Sequence, residues 1–174
     1  MHTLFEGISI VVIVIYVFLR NGRAALVTAI VIPLSLLFAF ILMDFSGIPA
    51  NLLSLGSIDF GIVVDGAVVA MESIIRKFNQ ASPEEKSRGR LHLIGSGIAD
   101  VELQILVSVS IIICAYLPIF LFQRVEGKLF SPMAWTIAFA LLGSLILAIL
   151  AVPVISSWVF GDEIKEVHNR PLHY

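Results

Sequence analysis

The chain has 174 residues and a formal net charge of -2, with 59% of its residues hydrophobic and 14% charged. Its mean hydropathy is +1.01. Soluble domains hold about 45–50% apolar and about 25% charged residues, so this composition excludes an ordinary soluble globule and indicates an integral membrane protein. No basic patch interleaved with aromatics is present, which excludes a nucleic-acid partner. One cysteine, Cys114 in an apolar run, excludes a disulfide framework and a thiolate metal cluster.

A membrane-spanning helix needs about 20 mostly apolar residues. The first residues, Met1–Glu6, lack the basic start and small-residue cleavage site of a signal peptide. An uncharged run of 13 residues lies between Glu6 and Arg20, one of 20 between Arg23 and Asp44, one of 21 between Glu102 and Arg124, and one of 33 between Lys128 and Asp162. With the stretch from Pro49 to Ile75, these predict an all-α membrane protein, a bundle of five transmembrane helices near residues 4–20, 24–43, 50–75, 102–122 and 131–158. Asn21-Gly22 reads as a tight turn, Pro49 as a helix start, and Ser131-Pro132 as the N-cap and first residue of the last helix. Pro33 and Pro153 fall inside helices and predict kinks. The polar stretch from Arg76 to Asp100 reads as a solvated loop with room for a short helix. Residues 161–174 read as the start of an interfacial segment beyond the bundle.

Lysine and arginine set the expected orientation. One side of a five-span chain collects Arg20, Arg23, Arg76, Lys77, Lys86, Arg88, Arg90, Lys165 and Arg170, and the other only Arg124 and Lys128. Nine against two predicts a chain that starts outside and ends in the cytoplasm.

The third apolar segment is chemically the most informative, because it carries Asp59, Asp65 and Glu72. A charge at mid-bilayer costs at least ~2.5–3.5 kcal/mol on insertion scales, so three on one span need partners, water or protonation. Asp65 and Glu72 are seven residues apart and share a helix face; Asp59 lies about 120° round. Axial rises of ~9 Å from Asp59 to Asp65 and ~10.5 Å from Asp65 to Glu72 prevent any two from sharing a proton directly. Relay through water or a neighbouring helix remains open to them. Gly56, Gly61 and Gly66, with Ala67 and Ala70, leave room for close helix approach. An apolar seam favours the neutral form of a carboxylate unless a cation sits opposite, and an acid that exchanges its proton is what a proton carrier needs. The plainer alternatives are structural ion pairs, or helix ends that reach water; these weigh most on Glu72, beside Arg76, and least on mid-span Asp65.

Other residues offer less chemistry. His2, His92, His168 and His173 lie in loops or near ends without ligand spacing, and Met43, Met71 and Met133 are dispersed packing material. Gly95-Ser-Gly97 lacks the Lys-Ser/Thr continuation of a phosphate loop. No cofactor and no metal-ligand set is expected. An intramembrane aspartyl protease needs two carboxyls about 3 Å apart, which Asp59 and Asp65 on one helix cannot supply, so an enzyme is not expected.

The run Asp59-Phe-Gly-Ile-Val-Val-Asp65-Gly-Ala-Val-Val-Ala-Met-Glu72 resembles the fourth transmembrane helix of heavy-metal efflux pumps of the resistance–nodulation–division superfamily, cobalt–zinc–cadmium type, with Ser73 in place of the usual Asn. Arg23-Ala-Ala-Leu26, Asn51-Leu-Leu-Ser-Leu-Gly56, Tyr116-Leu-Pro-Ile119, Val125-Glu-Gly-Lys-Leu-Phe-Ser-Pro-Met-Ala134 and Phe139-Ala-Leu-Leu-Gly143 carry the likeness along the chain. The resemblance implies spans two to six of a twelve-span proton/divalent-metal antiporter in the bacterial inner membrane, with Asp59, Asp65 and Glu72 as proton-relay acids. It also implies a homotrimer with a periplasmic adaptor and an outer-membrane channel. Metal capture is implied to lie mainly in periplasmic domains absent here, so the chain alone is expected to be inactive in exporting its cation. A multidrug pump of the same superfamily is the nearer alternative, although those carry adjacent aspartates where this chain has Asp65-Gly66. A non-transporting remnant, or a subunit that assembles with a separate remainder, is the other.

Overall fold

The computed structural model describes residues 2–48, 60–122 and 124–159. Among them every regular element is helical: α1 (His2–Leu19), α2 (Gly22–Phe45), α3 (Phe60–Gln80), α4 (Pro83–Ser87), α5 (Arg90–Ala99), α6 (Glu102–Tyr116) running into a 3-10 turn (Leu117–Leu121), α7 (Arg124–Ile146), a π-helical turn (Leu147–Ala151) and α8 (Val152–Val159). Among the described residues, three segments are long and apolar enough to cross a membrane: Gly22–Phe45, Arg90–Leu121 and Arg124–Val159. In α1 the apolar helix, Ser9–Leu19, is shorter than a full span. The described part of α3 carries Asp65, Glu72, Arg76 and Lys77, too many charges for a purely apolar span.

The core forms around α2. Its buried residues Ala24, Val27, Thr28, Val31, Ile32, Ser35, Ala39 and Met43 follow the three-and-four spacing of one helix face. Asn21 caps it, its side-chain oxygen accepting from the Arg23 and Ala24 amides at 3.1 and 3.3 Å. The helix runs unbroken through Pro33, which sits on the exposed face. Two hydroxyls on the buried face find backbone acceptors: Thr28 donates to the Ala24 carbonyl and Ser35 to the Ile32 carbonyl.

Small residues set how closely the helices approach. A Cβ placed on Gly143 of α7 would lie 2.7 Å from Phe38 Cδ1 of α2, and one on Gly97 of α5 would lie 3.0 Å from the Ile74 Cα of α3. At the second contact Ser73 donates to the Gly97 carbonyl at 2.7 Å, so the backbone of α5 is docked on α3 by both shape and a buried hydrogen bond.

The structure corrects two expectations. Arg76–Asp100 is mostly helix: α3 continues to Gln80, and α5 buries Leu93, Ile94, Gly97 and Ile98 against its neighbours. Between them α4 opens with a reciprocal capping box, the Ser82 amide donating to Glu85 Oε2 at 2.8 Å and the Glu85 amide to Ser82 Oγ at 3.3 Å. The Ser82 amide, and after it the Ser82 hydroxyl, hold the exposed Glu85 carboxyl below its ordinary value, so the carboxylate half of the box is present at neutral pH and weakens as pH falls through that lowered pKa. Second, α7 starts at Arg124, and Pro132 sits inside it. Pro132 only removes the donor for the Lys128 carbonyl, which an exposed helix end tolerates. Pro153 is preceded by a π-helical turn in which the Val152 amide donates to the Leu147 carbonyl five residues back. Widening that turn accommodates the proline ring and the donor it lacks.

The expected Pro49 helix start and the 161–174 segment lie outside the described residues.

Candidate proton-relay face and its relatives

One face of α3 builds the bundle and the opposite face is open. Val63, Val64, Ala67, Ala70, Met71, Ser73 and Ile74 are buried, whereas Gly61, Asp65, Glu72 and Arg76 are exposed. The exposed set recurs at steps of four, seven and four residues, which is a single stripe along the helix. The two described acids therefore share a face, about 10.5 Å apart along the axis. Asp59 lies outside the described residues.

Gly66 holds the neighbours of Asp65 in place. A Cβ there would lie 3.0 Å from Ile105 Cγ2 of α6 and 3.6 Å from the Ala148 Cβ of the π-helical turn. Ala67 and Ala70 are fully buried beside it. Gly61 lies on the exposed face.

Beside Asp65 the seam between α3 and α6 opens into a cavity of about 60 Å³, lined by Asp65, Gln104 and Ser108 among apolar residues including Ile62, Val69 and Ile112. A water occupies about 30 Å³ of liquid and needs two to four polar partners. The cavity can therefore take one or two waters, with a carboxylate, an amide and a hydroxyl to hold them. Sequence reading passed over Gln104 and Ser108. Their signal is an i, i+4 polar pair in an otherwise apolar run, a spacing that places both on one face of α6.

Neither Asp65 nor Glu72 makes an ion pair among the described residues. The ion pair at this end of α3 is Lys77 Nζ to Asp100 Oδ2 at 2.8 Å, which ties α3 to the start of α6 instead. Arg76, four residues beyond Glu72, does not pair with it. The acidic stripe is thus unneutralised within the described bundle. Among the described residues, no three His, Cys, Asp or Glu gather in metal-binding range.

The AcrB/AcrD/AcrF family model matches residues 1–173. The chain belongs to that family. Over 172 residues it is 41% identical to the cobalt-zinc-cadmium resistance protein CzcA of Cupriavidus metallidurans, covering 96% of this chain and 16% of that protein. Over 177 residues it is 32% identical to the cation efflux system protein CusA of Escherichia coli strain K12, covering 98% of this chain and 17% of CusA. A crystal structure of a heavy metal efflux pump superposes with a TM-score of 0.77 at 48% identity, over 91% of this chain and 15% of that one. The family, the all-α membrane fold and the heavy-metal efflux relatives agree with the resemblance read from the Asp59–Glu72 motif. The chain spans about one-sixth of the length of these relatives.

Proposed function

We propose that this chain is the proton-coupling transmembrane portion of a proton/divalent heavy-metal antiporter, with Asp59, Asp65 and Glu72 as relay acids and no metal site of its own. The observation that carries the reading is the open face of α3. Two acids lie there on a helix whose other face is packed through Gly66, Ala67, Ala70 and Gly97. Leaving ionised carboxylates against lipid costs at least ~2.5–3.5 kcal/mol each at mid-bilayer. That face therefore calls for a protein partner with a polar or cationic surface, supplied by the remainder of the pump. The cavity at Asp65, with room and polar partners for one or two waters, gives a proton a route off the helix. Each proton entering down ~100 mV releases about 2.3 kcal/mol.

In this reading all five expected helices span the inner membrane. α1 and α3 are tolerated there because their short apolar length and charges are offset by packing within a larger bundle. The whole pump assembles as a homotrimer with a periplasmic adaptor and an outer-membrane channel, and the 174 residues alone export nothing.

Two measurements test this. In metal-sensitive bacteria, the whole pump should confer tolerance to zinc, cobalt or cadmium that an uncoupler abolishes, whereas the 174-residue chain should confer none. Tolerance that survives collapse of the proton gradient refutes proton coupling. In the whole pump, a tag placed at Gln80–Lys86 should report cytoplasmic and one at Glu126–Lys128 external; the reverse pattern overturns the orientation.

A further inference from the structure

The cavity at the other end of the bundle carries a separate signal. It is a broad, open depression of about 570 Å³ and not an enclosed pocket. It lies between the end of α2, at Gly47 and Ile48, and the start of α7, and its walls include Phe122, Arg124, Lys128, Ser131 and Trp135. Among the described residues no acidic side chain lines it, Glu126 included.

The positions of the two cations are unusual. Arg124 and Lys128 are the only basic residues on the sparsely charged side of the chain, and both line one cavity. Neither makes an ion pair among the described residues, and both are exposed. They stand one turn apart at the N-terminal end of a 23-residue helix, where the backbone adds positive potential. Arg124 holds φ at +60, a backbone conformation that non-glycine residues rarely keep without a reason.

The rim identifies the kind of anion. Leu121, Phe122 and Val125 are exposed large apolar side chains at the same end. Trp135 packs edge-on against Phe120, with ring centroids 5.0 Å apart, as part of an aromatic group of the type found at membrane–water boundaries. A free anion would use the cations and leave this apolar rim unoccupied. A phospholipid uses both, its phosphate between Arg124 and Lys128 and its acyl chains along the rim.

We propose that this cavity binds the headgroup of an anionic phospholipid, with Arg124 and Lys128 holding the phosphate and Ser131 donating a hydrogen bond to it. The test is native mass spectrometry of the detergent-purified protein titrated with phosphatidylglycerol, phosphatidylcholine and inorganic phosphate. Phosphatidylglycerol should be retained in preference to phosphatidylcholine, and inorganic phosphate should not compete with it. The paired substitutions Arg124→Gln and Lys128→Gln should weaken phosphatidylglycerol retention roughly ten- to thirty-fold, while Lys86→Gln with Arg88→Gln at the opposite end leaves it unchanged. If the first pair fails to fold, judged by its helical circular dichroism, Lys128→Gln alone should still weaken retention several-fold. Unchanged retention in the cavity variants overturns the site. Equal loss from the Lys86 and Arg88 pair means non-specific charge attraction and overturns it too. Effective competition by inorganic phosphate overturns the lipid assignment.

Discussion

Asp65→Asn in the whole pump is expected to abolish proton-coupled metal export while leaving expression and membrane insertion near wild type. The substitution keeps the size and most of the hydrogen bonding of the side chain and removes only its titration. Asp65 is exposed on α3 and makes no ion pair among the described residues, so no internal contact of the bundle depends on its charge. If an ionised acid on that face carries an insertion penalty, the neutral amide should insert at least as readily. What the amide cannot do is release and regain a proton into the cavity shared with Gln104 and Ser108. Asp59→Asn should be nearly as damaging. Glu72→Gln should be milder, since Glu72 lies closer to the charged end of α3 at Arg76 and Lys77. The check is zinc, cobalt and cadmium tolerance alongside quantification of the protein in the membrane fraction. An export-competent Asp65→Asn pump would mean that this acid is structural.

The second large effect is on stability. Gly97→Val should lower the melting temperature of the detergent-solubilised protein and reduce its yield, with a loss of about 1–3 kcal/mol from overpacking. A Cβ at Gly97 meets the Ile74 Cα at 3.0 Å and the Ile74 amide nitrogen at 3.2 Å. These are backbone atoms that cannot rotate away, so α5 would be pushed off α3. The displacement also strains the Ser73 hydrogen bond to the Gly97 carbonyl, whose loss leaves buried polar groups unpaired. Gly95, two residues earlier in α5, is the internal control because a Cβ there meets nothing within 4 Å. Gly95→Ala should be neutral or stabilising by up to about 1 kcal/mol, from helix propensity alone. Equal destabilisation at both glycines would contradict the packing assigned to α5.

The acidic helix was legible because its signal is chemical. Carboxylates inside an apolar run are costly in any membrane context, and a seven-residue spacing puts Asp65 and Glu72 on one face whatever surrounds them. α2 was legible for a similar reason, since its length and composition allow little except a span. Context decided the rest. Arg76–Asp100 is polar enough to read as loop, yet Leu93, Ile94 and Ile98 carry a short helical stripe that acquires meaning only when Ile74 and Ser73 are there to receive it. Ser131-Pro132 has the chemistry of a helix start, and nothing local says that the helix began at Arg124. Gln104 and Ser108 could not be linked to Asp65 until the packing of α6 on Gly66 brought them to one cavity. The open side of α3 is invisible in the sequence, because periodicity shows that two faces differ and not which one is covered.

The central claim is that α3 carries protons, and the most direct measurement is metal-driven proton flux. Proteoliposomes bearing the whole pump and a pH-sensitive dye inside should show proton movement when zinc, cobalt or cadmium is supplied, opposite in direction to the cation. Asp65→Asn vesicles, matched for protein content, should show none. Full coupled flux through the Asp65→Asn pump would contradict the account.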